Sequence, residues 1–235
     1  MTIAKSMFPG VGSTPCCRTY TGRMSATLQP TTEEQRYFLL RLYFFLRPWG
    51  QYKVDSGDDW LQGCVDRAYL DFCRTLPRVA KVRKVRDSAG KVLWSALDGL
   101  RESKRPNQEA FDEWHKKVCT SLRSCYHESG YPGFTFGHAQ KWVNMAFKYV
   151  HVVGPDLLPG FERYYFFGHV PIDNIVMEAF NREPGIRRIN GAWSKLDDYG
   201  TYVAFQQSVR ASIKSSGRWA SPLAAEFWLF QGRPT

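Results

Sequence analysis

"TFGHAQKWVNMAFKYV" (residues 135–150) sets apolar residues at helical spacing beside a glycine and carries a lysine in its first turns. The stripe Ala139, Trp142, Val143, Ala146, Phe147, Val150 and Val153 predicts a helix, which places Lys141, Asn144, Lys148 and His151 together on the opposite face. Gly154 and Pro155 end it. Farther along, "GHVPIDNIVMEAF" (168–180) opens a second helix. Pro171 suits the first helical position, which puts Asp173 near the third, beside unpaired amides at the positive end of the helix dipole. A positioned amine and a positioned carboxylate can do chemistry together.

The chain has 235 residues, of which 43% are hydrophobic, enough for one sizeable core or two small lobes sharing a cleft. A net charge of +10 favours a polyanionic partner, nucleic acid or an anionic membrane surface. The longest apolar run, "YFLLRLYFFL" (37–46), is interrupted by Arg41 and falls short of the roughly 20 residues that span a bilayer, so no membrane segment is expected. Residues 1–30 read as a flexible Gly/Pro/Ser/Thr-rich tail without the apolar stretch of a leader, with Met24 as a second candidate start. The expected location is cytoplasmic.

Cysteines at 16, 17, 64, 73, 119 and 125 read as small buried hydrophobes rather than disulfide partners. His115, Cys119, Cys125 and His127 sit on adjoining turns, but their spacing matches no common zinc pattern, so neither metal nor cofactor is assigned.

Helical periodicity dominates. "TTEEQRYFLLRLYFFLRPWG" (31–50) starts with threonine caps and runs apolar to Pro48, and "DSGDDWLQGCVDRAYLDFCRTL" (55–76) carries Trp60, Leu61, Cys64, Ala68, Tyr69 and Phe72 on one face. "NQEAFDEWHKKVCTSLRSCY" (107–126) repeats the pattern, and "SPLAAEFWLFQG" (221–232) is a short buried helix. Residues 79–92, "VAKVRKVRDSAGKV", are basic and alternating with a turn at Ser88–Gly90, which predicts a basic hairpin or a helix end and loop. Strand signals are few. The expected fold is mainly α, a single helical domain over 31–235 with a basic insertion at about 79–110.

These residues resemble the helix-hairpin-helix DNA glycosylases. Gly137 precedes Lys141 by the spacing of that family's first hairpin glycine and catalytic lysine, and Val170-Pro171-Ile172-Asp173 matches its V-P-x-D segment. The long gap between lysine and aspartate resembles the archaeal 8-oxoguanine glycosylase branch, and the chain as a whole also looks similar to the phage-defence glycosylases related to that branch. Ala139 stands where the second hairpin glycine would be. The specific motifs occupy residues 132–180. The resemblance implies two helical lobes with a cleft for DNA and a flipped base, no cofactor, no obligate protein partner, and a modified-base-containing DNA substrate. The base would be glucosylated hydroxymethylcytosine in a defence enzyme or 8-oxoguanine in a repair enzyme. It assigns catalysis to Lys141 and Asp173, the base pocket to Gln35, Trp60, Glu226 and Phe230, and DNA contacts to Gly137, His138, Lys148 and His169. The basic run Lys81, Arg83, Lys84 and Arg86 adds phosphate contacts.

The chemistry needs both residue types. Breaking an N-glycosidic bond develops positive charge on the sugar, which a carboxylate stabilises, and a lysine amine can attack C1′ and form a Schiff base. The base must first leave the duplex stack for a pocket. A helical DNA-binding module without catalysis, and a zinc-organised RNA-binding protein built on His115–His127, are the competing readings.

Overall fold

The helix expected from 135–150 forms and lies at the centre of the molecule. The computed structural model describes residues 56–76, 82–103 and 106–231 together with Glu33, Tyr37, Leu40, Tyr43 and Phe44, the side chains of residues 82, 83, 230 and 231 excepted. The tail at 1–30, Gln35 and Lys81, and the side chains of Arg83 and Phe230, lie outside the described residues.

Among the described residues the structure is helical, with no strand. The order is α1 (Gly57–Phe72), α2 (Val82–Glu102), α3 (Gln108–Glu128), α4 (Phe136–Val153), α5 (Asn174–Phe180), α6 (Tyr199–Ser216) and α7 (Pro222–Gln231), with short 3-10 turns at Cys73–Thr75, Glu162–Phe167 and Trp193–Lys195. Upstream, Glu33, Tyr37, Leu40, Tyr43 and Phe44 are helical and Leu40 and Phe44 are buried, as the apolar run predicts. No helix among the described residues is long and apolar enough to cross a membrane.

Local chemistry sets the starts. Ser56 caps α1 in a capping box with Asp59, Asn107 caps α3 through the Ala110 amide, and Thr135 caps α4 in a box whose third residue is His138. The basic stretch differs from its expectation: residues 82–102 form one unbroken helix through Ser88–Gly90. Val85, Ala89, Leu93, Leu97 and Leu100 are buried at helical spacing, a stripe that extends well beyond the window that looked alternating. At Gly90 a Cβ would stand in ordinary van der Waals contact, 3.8 Å from the Trp142 ring and from Val65, so packing does not require glycine there.

Helix α4 packs most extensively on α1 and also against α3. Trp142 is buried against Phe72 and Tyr69, and its indole N–H donates to Val65 O at 2.9 Å. Each such fully buried large side chain contributes about 1.5–3 kcal/mol. Contrary to the two faces expected of α4, Gln140, Lys141, Asn144 and Lys148 are buried along with the apolar stripe, because α4 is covered on every side. Burial of that many polar groups requires partners, and those partners build the site.

Candidate active site

Lys141 Nζ lies 2.5 Å from Asp173 Oδ2, which joins the two segments the sequence singled out. The other carboxylate oxygen of Asp173 accepts the Val176 amide at 2.9 Å, so Asp173 is the N-cap of α5. This corrects the expectation that Pro171 begins the helix with Asp173 at its third position. Residues 170–172 precede the helix because their backbone is tied elsewhere.

Two glutamine side chains hold that backbone. Gln206 of α6 accepts the Val170 amide at 3.1 Å and donates to Val170 O at 2.8 Å. Gln140 of α4 does the same for Ile172, accepting its amide at 3.0 Å and donating to its carbonyl at 2.9 Å. Pro171 between them has no N–H to satisfy. The segment that ends in Asp173 is thereby fixed to the helix that carries Lys141, and no strand is needed to pair it.

A second lysine on α4, Lys148, lies with its Nζ 2.6 Å from the Glu226 carboxylate of α7. Burial raises the Glu226 carboxyl above its ordinary value; Lys148 opposes this, Lys141 opposes it more weakly and Asp173 adds to it. The two pairs are close enough to feel each other. Asp71 of α1 joins them: burial raises its carboxyl, while the Tyr149 hydroxyl, donating at 2.6 Å, and the charges of Arg67, Lys141 and Lys148 lower it.

Behind the clamp runs a buried polar chain. His169 sits between the Tyr202 hydroxyl (2.8 Å to Nδ1) and Asp112 Oδ1 (2.7 Å to Nε2). Because the carboxylate can only accept, Nε2 carries the proton and Nδ1 accepts from Tyr202. Burial alone would raise the Asp112 carboxyl, but the His169 hydrogen bond and the nearby Gln108 and Arg210 outweigh it and hold it at about 2. Asn144 donates to Tyr202 at 2.9 Å and to Gln140 at 3.1 Å, completing a chain from Arg210 and Asp112 to the clamp.

The structure thus brings together Lys141, Asp173, Lys148 and Glu226, and places other expected residues differently. Trp60 is core, packed edge-on to Tyr37 and Phe44 rather than lining a pocket. His138 and His169 are buried, 4% and 1% exposed, and do not reach the surface as DNA contacts would; Lys148 is spent on Glu226. Gly137 is required by close approach, since a Cβ there would stand 1.9 Å from Trp193 O. Its amide donates to Leu196 O at 2.7 Å, the Phe136 amide to Asp197 and the His138 amide to Thr135, which leaves none of these three for a phosphate. Lys84 is exposed, whereas Arg86 bridges Asp87 at 2.6 Å and lies over Tyr69.

Gln140, Asn144, Gln206, Tyr202, Asp112, Arg210 and Asp71 were not identified from the sequence. The signal available for the first two was their place in a polar row, with Lys141 and Lys148, on an otherwise apolar helix. His115 meets Tyr199 at 2.8 Å and His127 meets Phe134 O at 2.8 Å, and among the described residues no group of three or more His, Cys, Asp or Glu is arranged to hold a metal ion. Comparison with protein-family models, with curated proteins and with solved structures finds no match.

Proposed function

We propose that the chain is a DNA glycosylase that flips out a modified base, cleaves its N-glycosidic bond and follows with a Schiff-base lyase step. The observation that carries this reading is the 2.5 Å contact between Lys141 Nζ and Asp173 Oδ2, with the carboxylate side chain 17% exposed at the end of a clamped segment. The proposed architecture is two helical lobes with the DNA cleft between them, which the order of lysine helix, V-P-x-D segment and capped helix supports.

In this reading the flipped nucleotide places C1′ against the pair. As the bond to the base breaks, its electrons leave with the base, and the Asp173 carboxylate stabilises the positive charge on the sugar. The Lys141 amine, its proton passed to Asp173, bonds to C1′; the C1′–O4′ bond then breaks as a proton moves from the nitrogen to O4′, leaving a Schiff base at C1′, and loss of a C2′ proton from it breaks the C3′–O bond and releases the 3′ phosphate. The net charge of +10 supports a polyanionic substrate.

The test is incubation with unmodified duplex and with duplexes carrying glucosylated hydroxymethylcytosine or 8-oxoguanine, scored for alkali-sensitive sites with and without borohydride. Abasic sites in one modified duplex are expected, with a borohydride-trapped adduct. Absence of product in folded protein that binds DNA would replace this reading with a binding module that lacks catalysis. That second reading is favoured by one feature, the engagement of both Asp173 oxygens within the protein.

A further inference from the structure

The ring of Phe227, 4.9 Å from Lys148 Nζ, also walls a groove of about 440 Å³ that the roles assigned above leave unused. Small-ligand sites run from roughly 300 to 1,000 Å³, so the groove is large enough for a planar ligand. Tyr165, Phe166 and Trp228 supply further walls, and His151 and Ser221 the polar atoms. Phe166 is 63% exposed and Trp228 48%, a large aromatic surface left in water.

His151 decides what kind of ligand fits. Its ring stands edge-on to Tyr165 at 4.3 Å and tilted against Phe227 at 5.6 Å, and its Nδ1 is buried with no hydrogen-bond partner. Burial lowers its basicity, so the neutral ring offers one donor and one acceptor among apolar neighbours. An aliphatic chain would leave the polar atoms of the lining unanswered. A flat heterocycle with polar edges would stack on the aromatic walls and meet the polar atoms that His151 and Ser221 present to the groove.

Charge names the rest of the ligand. The exposed Arg218 guanidinium lies 4.3 Å from the Trp219 ring and 5.3 Å from the Trp228 ring, placing a cation at the rim beside its Glu183 partner, in a chain of net charge +10. Aromatic walls for bases with cations for the backbone are the combination by which single strands are held. We infer that this groove takes an unpaired nucleobase of a single-stranded polynucleotide, at a site separate from Lys141 and Asp173. It does not depend on the glycosylase reading.

The probe is a short oligodeoxythymidylate carrying 5-bromodeoxyuridine, titrated into the full chain and then photocrosslinked. Quenching of tryptophan fluorescence is expected, with crosslinks at Phe166 or within 219–228. Phe166→Ala and Trp228→Ala should each weaken binding about ten-fold or more, as loss of a stacking platform does. Arg218→Ala should reduce the salt dependence by about one unit of slope. Both aromatic positions are exposed, so circular dichroism should be unchanged. No binding by the wild type, equal binding by the variants, or crosslinks confined elsewhere would overturn the inference. Loss of anionic-vesicle binding by the variants with oligonucleotide binding intact would also overturn it. The Asp173→Asn variant should bind the oligonucleotide as the wild type does. Base release without groove binding therefore sinks only this inference, and groove binding without base release sinks only the glycosylase.

Discussion

Helix α4 carries two lysines on carboxylates, and the two pairs are unlike. Lys141 and Asp173 are 6% and 17% exposed at the side chain, whereas Lys148 and Glu226 are 11% and 1%. Asp173 ends a clamped extended segment and caps a helix; Glu226 sits within α7 with its carboxyl raised by burial. One pair is open on its carboxylate side, and the other is sealed on it. Under the proposed function, the contrast assigns reaction to the pair whose acid a substrate can reach and cohesion to the pair whose acid is sealed. Lys148→Met, which strands Glu226, should cost about 3–5 kcal/mol of stability in urea unfolding at neutral pH. Lys148→Met with Glu226→Leu should recover most of that, because replacing a buried pair by apolar residues is often neutral. Equal loss in the single and double variants would break the contrast.

At the open pair the effect should fall on chemistry. Asp173→Asn keeps a good N-cap for α5 and removes the charge, so single-turnover base release should fall about 10²- to 10³-fold with DNA affinity nearly unchanged. Lys141→Gln should abolish the borohydride adduct. An equal loss of base release in Glu226→Gln would show that the sealed pair shares the chemistry, and the distinction would fail.

The sequence announced the open pair better than the sealed one for a physical reason. Lys141 and Asp173 lie in segments marked by helical periodicity, a glycine and a proline, all of them local signals. The facing of α4 was misjudged because periodicity reports polarity and not cover. Gln140 is satisfied by Ile172 and Lys148 by Glu226, partners far away in sequence that no local pattern records. The Asp112, His169 and Arg210 cluster joins three elements and has no motif. Residues 79–92 misled in the opposite way, a short window hiding the stripe that Leu93, Leu97 and Leu100 complete.

His138, at the start of α4, tests whether the open end of the helix is also its pH-sensitive end. Burial lowers its ring to about 4, Asp197 opposing weakly, while Nδ1 accepts the Thr135 amide at 3.1 Å. A base depressed on folding contributes stability above its unfolded value of about 6.5 and loses it as pH falls toward the folded value. Between neutral pH and pH 4 the loss should reach about 2–3 kcal/mol. His138→Gln keeps the capping-box acceptor without the titration and should flatten this limb. A limb of unchanged slope would assign the acid sensitivity to the other histidines that burial lowers, His115, His151 and His169.

The smallest effect separates the two clamps. Gln140→Leu and Gln206→Leu each strand one buried amide and reduce or remove the partners of one clamped carbonyl, at about 1–3 kcal/mol per unsatisfied group; Gln140→Leu also removes contacts to Gly137 O and from Asn144, so its stability loss should be the larger. Their effects on reaction should differ. Ile172, which Gln140 holds, adjoins Asp173, whereas Val170, which Gln206 holds, is separated from it by Pro171 and Ile172 and keeps a contact from Asn144. A displacement of about 1 Å at a reacting group can cost up to about 10²-fold, so Gln140→Leu should lower kcat about ten-fold with KM little changed, and Gln206→Leu should leave kcat within about two-fold. Equal kcat losses would mean that residues 170–173 move as one rigid piece. The open pair would then owe its geometry to the whole segment and not to the glutamine beside it.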